Sequence, residues 1–182
     1  MSDVPRLRTG DYFGGLDLGK KQDPSALAIV RKEDDVLALV GLRVWPLETN
    51  YTSIAGFLSP LFERIKHIHQ LLIDETGVGV PFVEEAKKNF SQVEGITLTL
   101  PVKQEILGYL KMAMQEKRLS YAHEDELENE LNIERFELTK AGQVQFSHPS
   151  GTHDDRLWAV ALAVYATRTK PPPQFKPISK SF

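Results

Sequence analysis

Between Tyr12 and Val30 the chain reads YFGGLDLGKKQDPSALAIV, two apolar runs joined by a turn, with Asp17 the one charge inside the first run. Small and branched side chains at successive positions predict a strand buried on both faces, of the kind found in the middle of a helix-covered sheet. An ionised carboxylate held there costs several kcal/mol unless a cation meets it. The turn supplies Lys20 and Lys21. A divalent ion is a better reason for an acid at a strand end, provided that other carboxylates converge on it.

The neighbouring segments predict where such carboxylates lie. Strands are expected over about 12–18, 25–32 and 36–45, with Asp34 and Asp35 in the second turn, giving three consecutive hairpin-linked strands. Ile54, Phe57, Leu58, Leu61, Phe62, Ile65 and Ile68 then follow helical spacing. A short fourth strand, Gln70 to Ile73, ends in Asp74. The ETGVGVP stretch after it carries Gly77 and Gly79 for a tight turn and Pro81 for the first turn of a helix over about 81–90. This strand-to-helix crossover is the mark of an α/β sheet, whose functional groups collect beyond the carboxyl ends of its strands. Asp17 and Asp74 hold equivalent places there, with Glu75 the alternative to Asp74.

Further along, a strand is expected at 96–100, closed by Pro101, and a helix from Lys103 to about Lys117. Residues 134–147 alternate on either side of Lys140, Ala141 and Gly142, which predicts a β-hairpin with a projecting tip. The stretch HPSGTHDDRLWAVALAVYATR opens with turn residues, with Thr152 as the expected N-cap, and continues as a helix apolar on nearly every side. Asp154 and Asp155 in its first turn gain about 0.3–1 kcal/mol each from the helix dipole. Two adjacent acids preceded by His153 exceed what capping requires. The ends read differently: residues 1–11 as a lead-in arm and residues 169–182 as a basic, proline-rich tail.

Composition narrows the chemistry. The 182 residues suit one domain, 41% hydrophobic and 26% charged, and neither a membrane span nor a signal peptide is expected. Without cysteine there are no disulfides, thiolate metal sites or cysteine nucleophiles, leaving carboxylates and five histidines as possible metal ligands. The net charge of −3 hides an asymmetry, because residues 124–137 carry seven acids and one arginine, leaving 21 bases and 18 acids elsewhere. That acidic run reads as a solvated helix face. The mildly basic remainder suits weak contacts with a nucleic-acid backbone.

Three motifs in this order resemble a known family. GLDLGKKQDPSALAIV, with Asp17, Asp23, Ser25 and Ala26, is similar to the first nuclease motif of the large terminase subunit of tailed bacteriophages; LLIDETGVG and HDDRLWAVALAVYA resemble the second and third. The resemblance covers about 12–168 and implies an α/β fold: a ribonuclease H-like mixed sheet, a three-stranded antiparallel meander plus parallel strands, flanked by helices. It implies a metal-dependent endonuclease that cuts double-stranded DNA with little sequence preference during viral genome packaging, in the cytoplasm of the infected host cell. Its partners would be a packaging ATPase domain, a small terminase subunit and a portal. No GxxxxGK[ST] phosphate loop occurs, so the chain is expected to be an excised nuclease domain or a stand-alone relative, without ATP hydrolysis of its own.

The chemistry of phosphodiester hydrolysis fits these acids. Two divalent cations, Mg²⁺ or Mn²⁺, activate a water and hold the leaving oxygen, and both want oxygen ligands on rigid supports. Asp17 is the expected bridge, Asp74 completes one shell and Asp154 or Asp155 the other, with Glu75 and His153 as accessories. Lys20, Lys21, Lys103 and Lys140 are candidates for contacts with the DNA backbone. The competing readings are a Holliday-junction resolvase-like nuclease, an actin-like or sugar-kinase fold built on Leu16 to Gly19, and a non-catalytic docking module. Length disfavours the second, which needs two such domains to enclose a nucleotide.

Overall fold

Alternating apolar side chains make β1 (Asp11–Asp17), β2 (Ser25–Glu33) and β3 (Val36–Trp45) an antiparallel meander, with Asp17 opposite Ala26 and Ser25 opposite Trp45. The protein, seen as a computed structural model, is described over residues 10–19, 23–77, 79–133, 135–138, 144–147 and 154–168, with the backbone alone at 133, 135–138 and 144–147. Helix α1 (Tyr51–Arg64) then crosses over to β4 (Ile68–Asp74), which runs parallel to β1. A second crossover through α2 (Gly79–Asn89) adds β5 (Val93–Ile96), parallel to β4. Helix α3 (Leu100–Gln115) leads to β6 (Leu119–Ser120), and the sheet order is β5-β4-β1-β2-β3-β6. The strand carrying Asp17 is therefore interior, as its double-faced burial predicts.

The last elements are α4 (Asp125–Ile133), the hairpin strands β7 (Arg135–Leu138) and β8 (Val144–Ser147), and α5 (Asp155–Ala166). The strands pair antiparallel as a separate two-stranded sheet, matching the expected hairpin; its turn, with Lys140, lies outside the described residues. Helices α1 and α2 cover one face of the main sheet, where Leu16, Ile54, Leu58, Leu71, Ile73 and Val83 interlock. Helices α3, α4 and α5 cover the other, where Ala26, Ala28, Leu72 and Ile106 meet nearly every residue of α5. Being enclosed by the sheet on one side and helices on the other, α5 is apolar all round. No helix among the described residues is long and apolar enough to cross a membrane.

Four boundaries differ from the sequence reading. Ile68 continues the helical spacing but opens β4, because α1 ends at Arg64 and Ile65 turns out of helical geometry. The strand expected at 96–100 lies at Val93–Ile96. Pro101 opens α3 after Thr99, where its missing N–H costs nothing, and does not close the strand before it. Asp154, and not Thr152, occupies the N-cap position of α5; Thr152 lies outside the described residues.

Candidate active site

The parallel pairing of β1 with β4 puts Leu16 beside Ile73, so the next residue of each strand, Asp17 and Asp74, meets the other across the carboxyl edge of the sheet. Period-two alternation settles their face. Leu16 and Ile73 point toward α1 and α2, which sends Asp17 and Asp74 toward α5. The same alternation sends Glu75 away: its carboxylate accepts from Thr97 Oγ1 at 3.2 Å, and a Cβ added at Gly95 would collide with it and with Val83 of α2. Glu75 does not join the other acids.

Helix α5 reaches this edge because β1 has no side chain where the two backbones cross. A Cβ at Gly15 would sit 2.2 Å from the Ala159 carbonyl oxygen and 2.4 Å from the Ala163 nitrogen. Residues four apart share a helix face, so the stripe that holds Ala159 and Ala163 against β1 also carries Asp155, one turn nearer the helix start. Asp155 is buried, 4% exposed, and its Oδ2 accepts no hydrogen bond among the described residues, although the residue has other interactions. Asp154 is turned aside, its Oδ2 accepting from Trp158 Nε1 at 2.7 Å.

Electrostatics records the convergence. Burial, then the charges of Asp155, Asp74 and Asp154 in that order, push the pKa of Asp17 well above the ordinary 3.8, and among the described residues Lys103 opposes them. Lys103 projects from the first turns of α3 and places Nζ 4.8 Å from the centre of the Trp158 ring. Asp74 also serves its own turn, Oδ1 accepting from the Thr76 amide at 2.8 Å, while Gly77 takes the left-handed φ of +71° that this turn requires. Among the described residues, no three His, Asp or Glu side chains are closed into a ligand shell around one point. The charges of Asp155, Asp74 and Asp154 act on Asp17, but the four carboxylates are not closed into one cluster.

Two other supports were hidden in the sequence. Ser25 Oγ accepts from the Gly19 amide at 3.0 Å and Tyr51 donates to the Gly19 carbonyl at 2.8 Å, pinning the start of the loop after Asp17. Lys20, Lys21 and His153 lie outside the described residues. The acidic run departs from the expected solvated face, because Glu130 on α4 is 6% exposed and accepts from the Leu157 amide at 2.9 Å. Burial and the nearby Asp155 and Asp154 push its pKa up to about 7, against the Leu157 and Arg156 amides that pull it down. A buried acid inside an acid-rich segment leaves no periodic signal, so its role emerges only when α4 meets α5.

A mixed sheet with a leading meander, and acids gathered where β1, β4 and the start of α5 meet, define a ribonuclease H-like nuclease fold. Residues 14–166 match the family described as the terminase RNaseH-like domain, and the chain belongs to that family. Among solved structures, the large terminase nuclease from thermophilic phage G20c with bound magnesium superimposes with a TM-score of 0.76 at 22% identity, over 86% of this chain and 81% of that one. The large terminase nuclease domain of Thermus phage P74-26 gives 0.73 at 20% identity, over 89% and 82%. The large terminase of bacteriophage HK97 gives 0.69 at 14% identity over 86% of this chain, which spans 39% of that protein. By sequence, no curated protein matches it.

Proposed function

We propose that this chain is a metal-dependent endonuclease that cleaves double-stranded DNA, with little sequence preference, during viral genome packaging. The observation that carries this reading is the placement of Asp17, Asp74, Asp154 and Asp155 at one edge of the sheet, where burial first and the three other acids second raise the pKa of Asp17. Like charges held together in a dense, partly buried setting cost stability, so such a set fits cations as its partners. Its all-oxygen donors suit Mg²⁺ or Mn²⁺, and the G20c nuclease was solved with bound magnesium.

Asp17 on its interior strand, Asp74 and Asp155 would together hold the divalent cations. Asp154, with Oδ2 on Trp158, stands beside them. Bound cations supply an activated water nucleophile and neutralise charge growing on the leaving oxygen. The chain's own part is to hold these carboxylates in fixed relation on β1, β4 and α5. Lys103, whose charge acts on Asp17, would meet a phosphate of the DNA backbone, with Lys20, Lys21 and Lys140 as further candidates for the same role. The weak basic surplus outside the acidic run suits a domain whose local DNA concentration comes from tethering to a packaging ATPase, with a small terminase subunit and a portal as partners, in the cytoplasm of the infected cell.

The test incubates supercoiled plasmid with Mg²⁺, Mn²⁺ or chelator, wild type beside Asp17→Asn. Metal-dependent nicking and linearisation should fall roughly a thousandfold or more in the variant, on the scale of losing a principal charge-stabilising group. Equal cleavage by the two proteins would remove Asp17 from the chemistry. Preference for four-way junctions would point to a resolvase, and absence of Mn²⁺ binding in the wild type to a docking module.

A further inference from the structure

A helix that begins with two functional acids has a capping problem. The N-cap side chain ordinarily accepts from the third amide of the helix, and for α5 that pairing would be Asp154 with the Leu157 N–H. Asp154 makes no such bond, and its carboxylate is directed to Trp158. The Leu157 amide donates instead to Oε2 of Glu130, an acid on a different helix. The other oxygen of Glu130, Oε1, accepts from Arg156 Nη1 at 2.9 Å, and Arg156 also pairs with Glu124 at 3.5 Å and with Glu126. Both oxygens of a carboxylate only 6% exposed are therefore spent on the first turn of α5.

We propose that Glu130 caps α5 in trans and, with Arg156 as its clamp, is the positioning residue that holds the aim of Asp155 toward Asp17. Capping from α4 satisfies the Leu157 amide while the N-cap acid is engaged with the Trp158 ring nitrogen. Arg156 offsets the charge of a carboxylate buried close to two other acids. Glu130 contacts neither substrate nor metal in this scheme; it acts through the backbone of residues 156 and 157, whose immediate neighbours are the acids. The inference rests on the metal-site reading above.

The experiment is a Mn²⁺ titration by calorimetry at pH 8 on the whole chain, paired with plasmid cleavage as a function of Mn²⁺ concentration. Glu130→Ala should weaken Mn²⁺ binding and raise the Mn²⁺ concentration for half-maximal cleavage by about 10- to 100-fold, the usual effect of losing a residue that orients metal ligands. Glu130→Gln, which keeps an acceptor for the Leu157 amide but loses its pairing with Arg156, should fall between. Leu58→Ala, in the core on the opposite face of the sheet, should lower the melting temperature and leave Mn²⁺ affinity unchanged. A folded Glu130→Ala with wild-type Mn²⁺ dependence overturns the proposal, as does an equal loss of affinity in Leu58→Ala. If Glu130→Ala does not fold, Glu130→Gln decides: several-fold weaker binding supports the proposal and unchanged binding overturns it. Wild-type protein that binds no Mn²⁺ would instead sink the metal-site reading itself, whereas binding lost in Asp17→Asn but intact in Glu130→Ala would sink this inference alone.

Discussion

The two ends of β1 carry aspartates treated in opposite ways. At the amino end, Asp11 meets His69 of β4 at 2.8 Å with both side chains more than half exposed, an ordinary surface pair in reach of water and salt. At the carboxyl end, Asp17 is buried near other acids, and among the described residues one lysine opposes three carboxylates. One strand thus holds a charge that is locally settled and a carboxylate whose charged form is disfavoured by burial and by neighbouring acids. The contrast teaches where to look for function: the acid whose setting costs stability is the one whose retention needs another explanation.

Breaking the approach of α5 to β1 should give the largest change at the acid end. Gly15→Ala places a methyl group against the Ala159 and Ala163 backbone, which cannot yield as a side-chain tip can. It should cost about 3 kcal/mol in urea unfolding and abolish cleavage by moving Asp155 away from Asp17. Unchanged stability would mean that α5 and β1 are not locked together as described.

A gentler probe separates the charge from the packing. In chelator, Asp17→Asn should melt at a higher temperature than wild type at neutral pH, because it removes one member of a repelling set. The sign with pH follows from linkage. Above about pH 3.8 the unfolded chain releases the Asp17 proton while the folded protein retains it. Metal-free stability therefore falls as pH rises, and the loss is complete once the raised folded pKa is passed. Asp17→Asn should remove that slope, leaving a weaker one of the same sign between pH 4.5 and about 7 from Glu130. A wild type whose metal-free melting temperature climbs across this range would contradict the crowding of acids.

The smallest effect belongs to the other end. Asp11→Asn should change stability by no more than about 0.5 kcal/mol and leave cleavage untouched, as expected for an exposed pair. A loss as large as that of Asp17→Asn would erase the distinction between the two ends.

Much of the fold was legible in the chain because its signals are local and strong. Asp17 stood out as a charge within an otherwise apolar strand, and LLID followed by two glycines marked a strand that hands over to a helix. The sequence alone offers Glu75 as an alternative ligand to Asp74, because the directions of neighbouring side chains are assigned only when the facing of the strand is known. Gly15 carried a faint signal, a glycine inside a strand, whose meaning depends on what lies across from it.

By itself the sequence determined the meander, the crossovers and the order of the acids, since periodicity, turn chemistry and burial of apolar faces act over a few residues at a time. Only the tertiary structure decided that Asp155 faces Asp17, that Glu75 turns to the other side of the sheet, and that the Glu130 side chain reaches from α4 to the Leu157 amide of α5. Those outcomes depend on contacts between elements far apart along the chain, where direction is set by the packing of one backbone against another and by no pattern within either.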